Sequence, residues 1–146
     1  MFKKSQNSFT RSIESFETMV GEHAEIHGRI VTSESLRIDG KLIGNIEAAQ
    51  ENKVSIALGK TGHIQGDIYA YRVFIAGQVD GNIYCTERVE LHEGAVVNGD
   101  ISYEQIAIEA GAKLNGLMIC RNKDLVENFQ KSAEIFQNNW QRITKE

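Results

Sequence analysis

One five-residue unit, apolar-x-Gly-x-apolar, recurs six times in this 146-residue chain, and it limits the fold more than any other feature. The copies run Ile26–Ile30, Leu42–Ile46, Ile64–Ile68, Val79–Ile83, Val97–Ile101 and Leu114–Met118, and their central glycines are Gly28, Gly44, Gly66, Gly81, Gly99 and Gly116. Successive glycines lie 16, 22, 15, 18 and 17 residues apart. A supersecondary unit this short cannot bury a core alone, so repetition implies a solenoid in which each turn packs only on its neighbours. Such an object is quasi-one-dimensional and points away from a closed catalytic pocket.

Within the repeats the apolar period is two. Val73, Ile75, Gly77, Val79, Gly81 and Ile83 alternate with mostly polar residues, as do Leu36, Ile38, Gly40, Leu42, Gly44 and Ile46. This is strand alternation with one buried face. A second apolar pair precedes five of the units: Leu36/Ile38, Val54/Ile56, Val73/Ile75, Val89/Leu91 and Ile106/Ile108. One repeat is therefore about three short strands, closing a coil of triangular section. Gly-Asn and Gly-Asp supply the corners, and glycine on the inward register leaves room where the walls converge. The long interval from Gly44 to Gly66 requires a bulge, at Glu47–Lys53 or at Gly59–His63. Stacked coils lie about 4.8 Å apart, so equivalent residues form ladders. The residue after each repeat glycine reads Arg29, Asn45, Asp67, Asn82, Asp100, Leu117, an acid–amide alternation that keeps like charges off adjacent rungs.

Three segments follow from composition: a polar N-terminal tail (1–19), the repeat body (20–120) and a glycine-free C-terminal segment (121–146). The body holds 8 Lys/Arg against 14 Asp/Glu and carries −6, while each tail carries +1. An acidic body argues against a nucleic-acid partner. No apolar run is long enough to span a bilayer, and the N-terminus has no secretory pattern, so the protein reads as cytosolic. In the C-terminal segment Leu125, Phe129, Phe136, Trp140 and Ile143 recur at helical steps, with Asp124 and Glu127 as a capping pair. That amphipathic helix either docks a partner or packs on the solenoid and covers an open end; packing is preferred, since exposed aromatics would form a large apolar patch.

Catalytic and cofactor chemistry finds no foothold. His23 and His27 are four apart in strand-like sequence, which separates rather than pairs them, and His63 and His92 fall near corners of separate coils. Cys85 and Cys120 form no C-x-x-C and read as small, partly buried residues. No metal, phosphate-binding or nucleophile motif is present, and no cofactor is expected. The N-terminus is more informative: Met1 and Phe2 beside Lys3 and Lys4 place an apolar anchor next to two cations. Near an anionic leaflet each cation is worth about 1 kcal/mol, and many copies on one polymer would bind by avidity.

The body resembles the bactofilins, bacterial polymer-forming cytoskeletal proteins. The resemblance rests on Leu36–Ile46 (LRIDGKLIGNI), Val73–Ile83 (VFIAGQVDGNI), Val89–Gly94 (VELHEG) with Gly99–Ile101, and Gly111–Gly116 (GAKLNG), in order and with flanking tails. It implies an all-β fold, a right-handed parallel β-helix of about six coils, and end-to-end assembly into filaments without nucleotide. It further implies roles in cell shape and in placing envelope or cell-wall machinery, with Met1–Lys4 attaching the polymer to the cytoplasmic face of the inner membrane. Two departures stand out: the chain has no proline, and Leu114 stands where the family commonly has an aromatic residue.

Elementary physics agrees that the chain should assemble. A solenoid ends in unpaired backbone rows and exposed core side chains unless polar caps cover them. Here the end coils are as apolar as the middle, so the expected self-contact surface is Val20, Ile26 and Ile30 at one end and Ile106, Ile108, Leu114, Met118 and Ile119 at the other. Two other readings fit a β-helix: a trimeric hexapeptide-like enzyme (an acyltransferase or zinc hydro-lyase), disfavoured by the uneven coil length, and a non-polymerising adaptor capped by its own C-terminal helix.

Overall fold

A computed structural model describes residues 16–48 and 53–121. All strands there pair in parallel and wind into a β-solenoid of six coils. Face one stacks β1 (Thr18–Val20), β4 (Leu36–Ile38), β7 (Ser55–Leu58), the second half of β9 (Ile68–Ile75), the second half of β11 (Ile83–Leu91) and β14 (Gln105–Ile108). Face two stacks β2 (Glu25–His27), β5 (Lys41–Ile43), β8 (His63–Gln65), β10 (Gln78–Asp80), β12 (Val96–Asn98) and β15 (Lys113–Asn115). Face three stacks β3 (Ile30–Thr32), β6 (Ile46–Ala48), the first halves of β9 and β11, β13 (Ile101–Tyr103) and β16 (Met118–Cys120). Parallel pairing is forced, because each coil must travel round the other two walls before returning one rung higher.

The register places like on like. On face two Ile26, Leu42, Ile64, Val79, Val97 and Leu114 lie in one column. On face three Ile30, Ile46, Ile68, Ile83, Ile101 and Met118 do the same. Both columns point inward and are fully buried through the four middle coils. With Leu36, Ile38, Ile56, Leu58, Val73, Ile75, Val89 and Leu91 from face one they form a continuous core. The chain between faces two and three never varies: four residues separate the paired positions in every coil, for instance Val79 and Ile83. That constancy is the apolar-x-Gly-x-apolar unit itself.

Variation is confined to the other two corners. Ten residues separate Ile46 from Ile56, against six between Ile30 and Leu36, so the Gly44–Gly66 interval gains most at the Glu47–Lys53 corner. The Gly59–His63 corner adds two more, Ile56 to Ile64 being eight residues where Leu36 to Leu42 is six; Val89 to Val97 shares that longer form.

The glycine column is crowded along the stack rather than across it. A Cβ on Gly81 would lie 2.0 Å from the carbonyl oxygen of Gly66 one coil below, and the φ of 157° is one that side chains rarely adopt. Room between converging walls, which the sequence suggested, is not the constraint; the close approach of successive corners is.

Candidate assembly interface at the coil ends

In the middle coils every inward side chain has a neighbour above and below. The last coil lacks the one above. Ile108 and Met118, which continue the buried Leu91 and Ile101 columns, are 47% and 46% exposed. Ile106 and Leu114 are half-buried against the core, and Ile119 on the outer register is exposed. At the first coil Ile26 and Ile30 are half-buried and packed on the core, whereas Val20 is buried within it. The two ends therefore differ: the C-terminal one presents more core-register apolar surface. Sequence reasoning missed Leu117, Met19 and Val31, all large, apolar and exposed on these two coils. Composition places Met19 in the N-terminal tail, whereas it belongs to β1 on the first coil, and Val31 was not singled out.

A hydrogen-bonded ladder runs up the corner beside the glycines. Asn45 Oδ1 accepts from the Asp67 backbone N–H at 2.8 Å, Asp67 Oδ1 from Asn82 at 2.8 Å, Asn82 Oδ1 from Asp100 at 2.9 Å, and Asp100 Oδ1 from Leu117 at 2.9 Å. Each side chain satisfies an N–H that its own coil leaves unpaired. Leu117 carries no acceptor, so the ladder stops where the stack stops.

The outer faces are laced by polar contacts. On face two Asp80 accepts hydrogen bonds from Asn98 (2.8 Å) and Gln78 (3.0 Å) and lies 2.7 Å from His63 Nε2. These three partners, Asn98 first, hold its carboxyl down at about 2. On face one His92 bridges Glu109 and Glu90, and hydrogen bonds from the Glu93 backbone and His92 lower the Glu109 carboxyl. His27 sits 3.5 Å from Glu25. His27, His63 and His92 thus meet single carboxylates or bridge two on separate coils, and among the described residues no group of three or more ligating side chains could hold a metal. Tyr69 and Tyr84 stack on face three with centroids 4.7 Å apart. Cys85 is buried where β11 turns the corner, its thiol donating to the Tyr71 and Arg88 carbonyls, and burial pushes it up to about 11. Cys120 on the last coil is exposed.

Met1, Phe2, Lys3 and Lys4, and the C-terminal Leu125, Phe129, Phe136 and Trp140, lie outside the described residues. Among the described residues no helix is long and apolar enough to cross a membrane.

This geometry, a stack of like coils with open apolar ends, agrees with comparisons to known proteins. The bactofilin family model, described as polymer-forming cytoskeletal, matches residues 18–118, which run from the first residue of β1 to the first of β16. The chain is 36% identical to bactofilin BacO of Myxococcus xanthus over 99 residues, covering 68% of this chain and 75% of that protein. It is 31% identical to bactofilin BacP of the same organism over 100 residues, covering 68% of this chain and 40% of that protein. No solved structure gives a significant match. The chain belongs to the bactofilin family of polymer-forming cytoskeletal proteins.

Proposed function

We propose that this protein builds a nucleotide-independent filament by stacking coil ends, and that the filament serves as a scaffold for cell-shape or envelope machinery on the cytoplasmic face of the inner membrane. The observation that carries the reading is the exposure of Ile108 and Met118, core-register side chains with no coil above them. Covering them with another copy's end coil continues both the apolar columns and the backbone ladder, the two terms that hold neighbouring coils together. Fully burying an aliphatic side chain is worth about 1.5–3 kcal/mol, so a few such residues per end suffice for association at moderate concentration. Membrane attachment is assigned to Met1–Lys4, where Phe2 inserts and Lys3 and Lys4 attract anionic headgroups.

Electron microscopy and gel filtration of the purified protein test the assembly. Filaments or heterogeneous high-mass species formed without nucleotide or metal support it. A monodisperse monomer across salt and concentration, or a discrete trimer, removes it.

A further inference from the structure

Phe74 breaks the pattern of the solenoid. Its neighbours Val73 and Ile75 join the inward columns of face one, so Phe74 points out. Its column on the outer surface reads Met19, Arg37, Ala57, Phe74, Glu90, Ala107. An outward phenyl ring beside an alanine should stand clear of the sheet. Instead Phe74 is only 9% exposed, although it takes no part in the core cluster. The neighbouring Glu90 side chain is 18% exposed, equally low for an outward carboxylate. Of the long side chains near the ring, Arg72 pairs with Glu87, and Arg88 pairs with Glu90, the residue directly across from Phe74. The burial arises within one copy of the chain, so its cover belongs to the same chain.

We infer that the C-terminal segment, residues 122–146, docks its apolar stripe on the outer surface of face one around Phe74, and not over an end of the stack. Topology delivers the segment to that place. Arg121 still donates its backbone N–H to Tyr103 and stands at the corner after β16, the corner that leads onto face one in every earlier coil. The length also fits. Six coils rise through five spacings of about 4.8 Å, roughly 24 Å, and a helix from Leu125 to Ile143 is roughly 28 Å long. Such a helix, entering the face at the last coil, reaches Phe74 two coils below well within its length. Its stripe of Leu125, Phe129, Phe136 and Trp140 then meets Phe74, with Ala57 and Ala107 leaving a shallow trough along the column; Met19, at the far end of that column on the first coil, is 62% exposed and lies beyond the contact. Side docking keeps the helix off the end coils, so the filament interface stays open while the chain hides its own aromatics.

The test uses full-length protein. Trp140 is the chain's single tryptophan, and its emission reads docking directly. The expected result is a blue-shifted, poorly quenched Trp140 whose emission moves to the red in Phe74→Glu, with the β circular dichroism retained because Phe74 is outside the core. A second readout is the thiol placed by Ala57→Cys in a Cys120→Ser chain. It should react slowly, and several-fold faster once Phe136→Asp is added. Water-exposed Trp140 in the parent protein, or Trp140 emission indifferent to Phe74→Glu, overturns the inference. Release of the thiol by Phe9→Asp instead of Phe136→Asp assigns the cover to the N-terminal segment and overturns it equally. Release only on disassembly assigns the cover to a second copy, with the same consequence.

Discussion

Asn45 and Asp67 stand one coil apart, and the amide oxygen of the first accepts the backbone N–H of the second at 2.8 Å. The same bond recurs from Asp67 to Asn82, from Asn82 to Asp100 and from Asp100 to Leu117. The column therefore acts as a backbone clamp, and the alternation of acid and amide lets it do so without stacking like charges. Asn82→Ala leaves the Asp100 N–H without its acceptor and should cost about 1–2 kcal/mol. Asn82→Asp restores the acceptor but places three acids on consecutive rungs. Its destabilisation should fade in high salt, unlike that of Asn82→Ala. Urea titrations at two salt concentrations separate the two.

Asp80 supplies the pH response. Its folded carboxyl is held at about 2, against an ordinary value of 3.8, chiefly by Asn98, then Gln78 and His63. A depressed carboxyl adds stability that is complete above the unfolded value and is lost as pH falls toward the folded one. Asp80→Asn should thus lower stability at neutral pH, where the ionised carboxylate holds Asn98, Gln78 and His63, and flatten the further loss of stability between pH 3.8 and about 2. Circular dichroism melts across that range measure it. An unchanged acid limb would show that Asp80 does not report folding.

The two cysteines make internal reporters of assembly. Cys85, buried and pushed up to about 11, should resist maleimide at neutral pH in every folded state. Cys120, exposed on the last coil, should react readily in dispersed protein and become protected as filaments form. Mass spectrometry should find one labelled thiol per dispersed chain, none in filaments and two in denaturant. Equal reactivity of Cys120 in both assembly states would place the C-terminal end outside the contact.

The coil count and the inward columns were legible because glycine spacing and period-two alternation are local signals: the glycine intervals are also the pairing intervals of faces two and three, as with Ile64 and Val79. The core from Leu36 to Ile101 followed from that register. The ends were less legible. Val20 and Ile108 occupy equivalent inward positions on the first and last coils, yet one is buried and the other 47% exposed. Alternation tells in from out; it says nothing about what lies above or below a coil. For the same reason Phe74 looked like an ordinary outward residue, and the hydrogen bonds of the Asn45–Leu117 ladder, which join residues 15–22 apart, were visible only as an alternating composition.

Leu114 is the sharpest probe of the C-terminal end. It closes the face-two column above Val97 and is half-buried, packed on the core from one side. Leu114→Arg lets the charge reach water in a single copy but traps it between coils in a filament, where an unpaired charge costs several kcal/mol. Loss of filaments with the β circular dichroism intact is the expected outcome. Normal filaments from a folded Leu114→Arg protein would take this end out of the interface, and loss of the β signal would make Leu114 part of the essential core.

Membrane attachment should depend on Phe2 and on polymerisation together. The N-terminal peptide offers one aromatic side chain and two cations, Lys3 and Lys4. At about 1 kcal/mol per cation near an anionic surface, plus one inserted ring, a single copy binds weakly. A rigid filament presents many copies and turns the second and later contacts into intramolecular ones. Liposome co-sedimentation should therefore be strongest with anionic lipid and polymerised protein, and should weaken as salt rises. Phe2→Ala should release the polymer from liposomes without altering filaments in micrographs, and Leu114→Arg, if it disperses the protein, should release it as well. If Phe2→Ala filaments still pellet with liposomes, the anchor is not at the N-terminus, and the stripe of Phe129, Phe136 and Trp140 takes its place as the candidate. If the parent polymer never pellets, this bactofilin works away from the membrane.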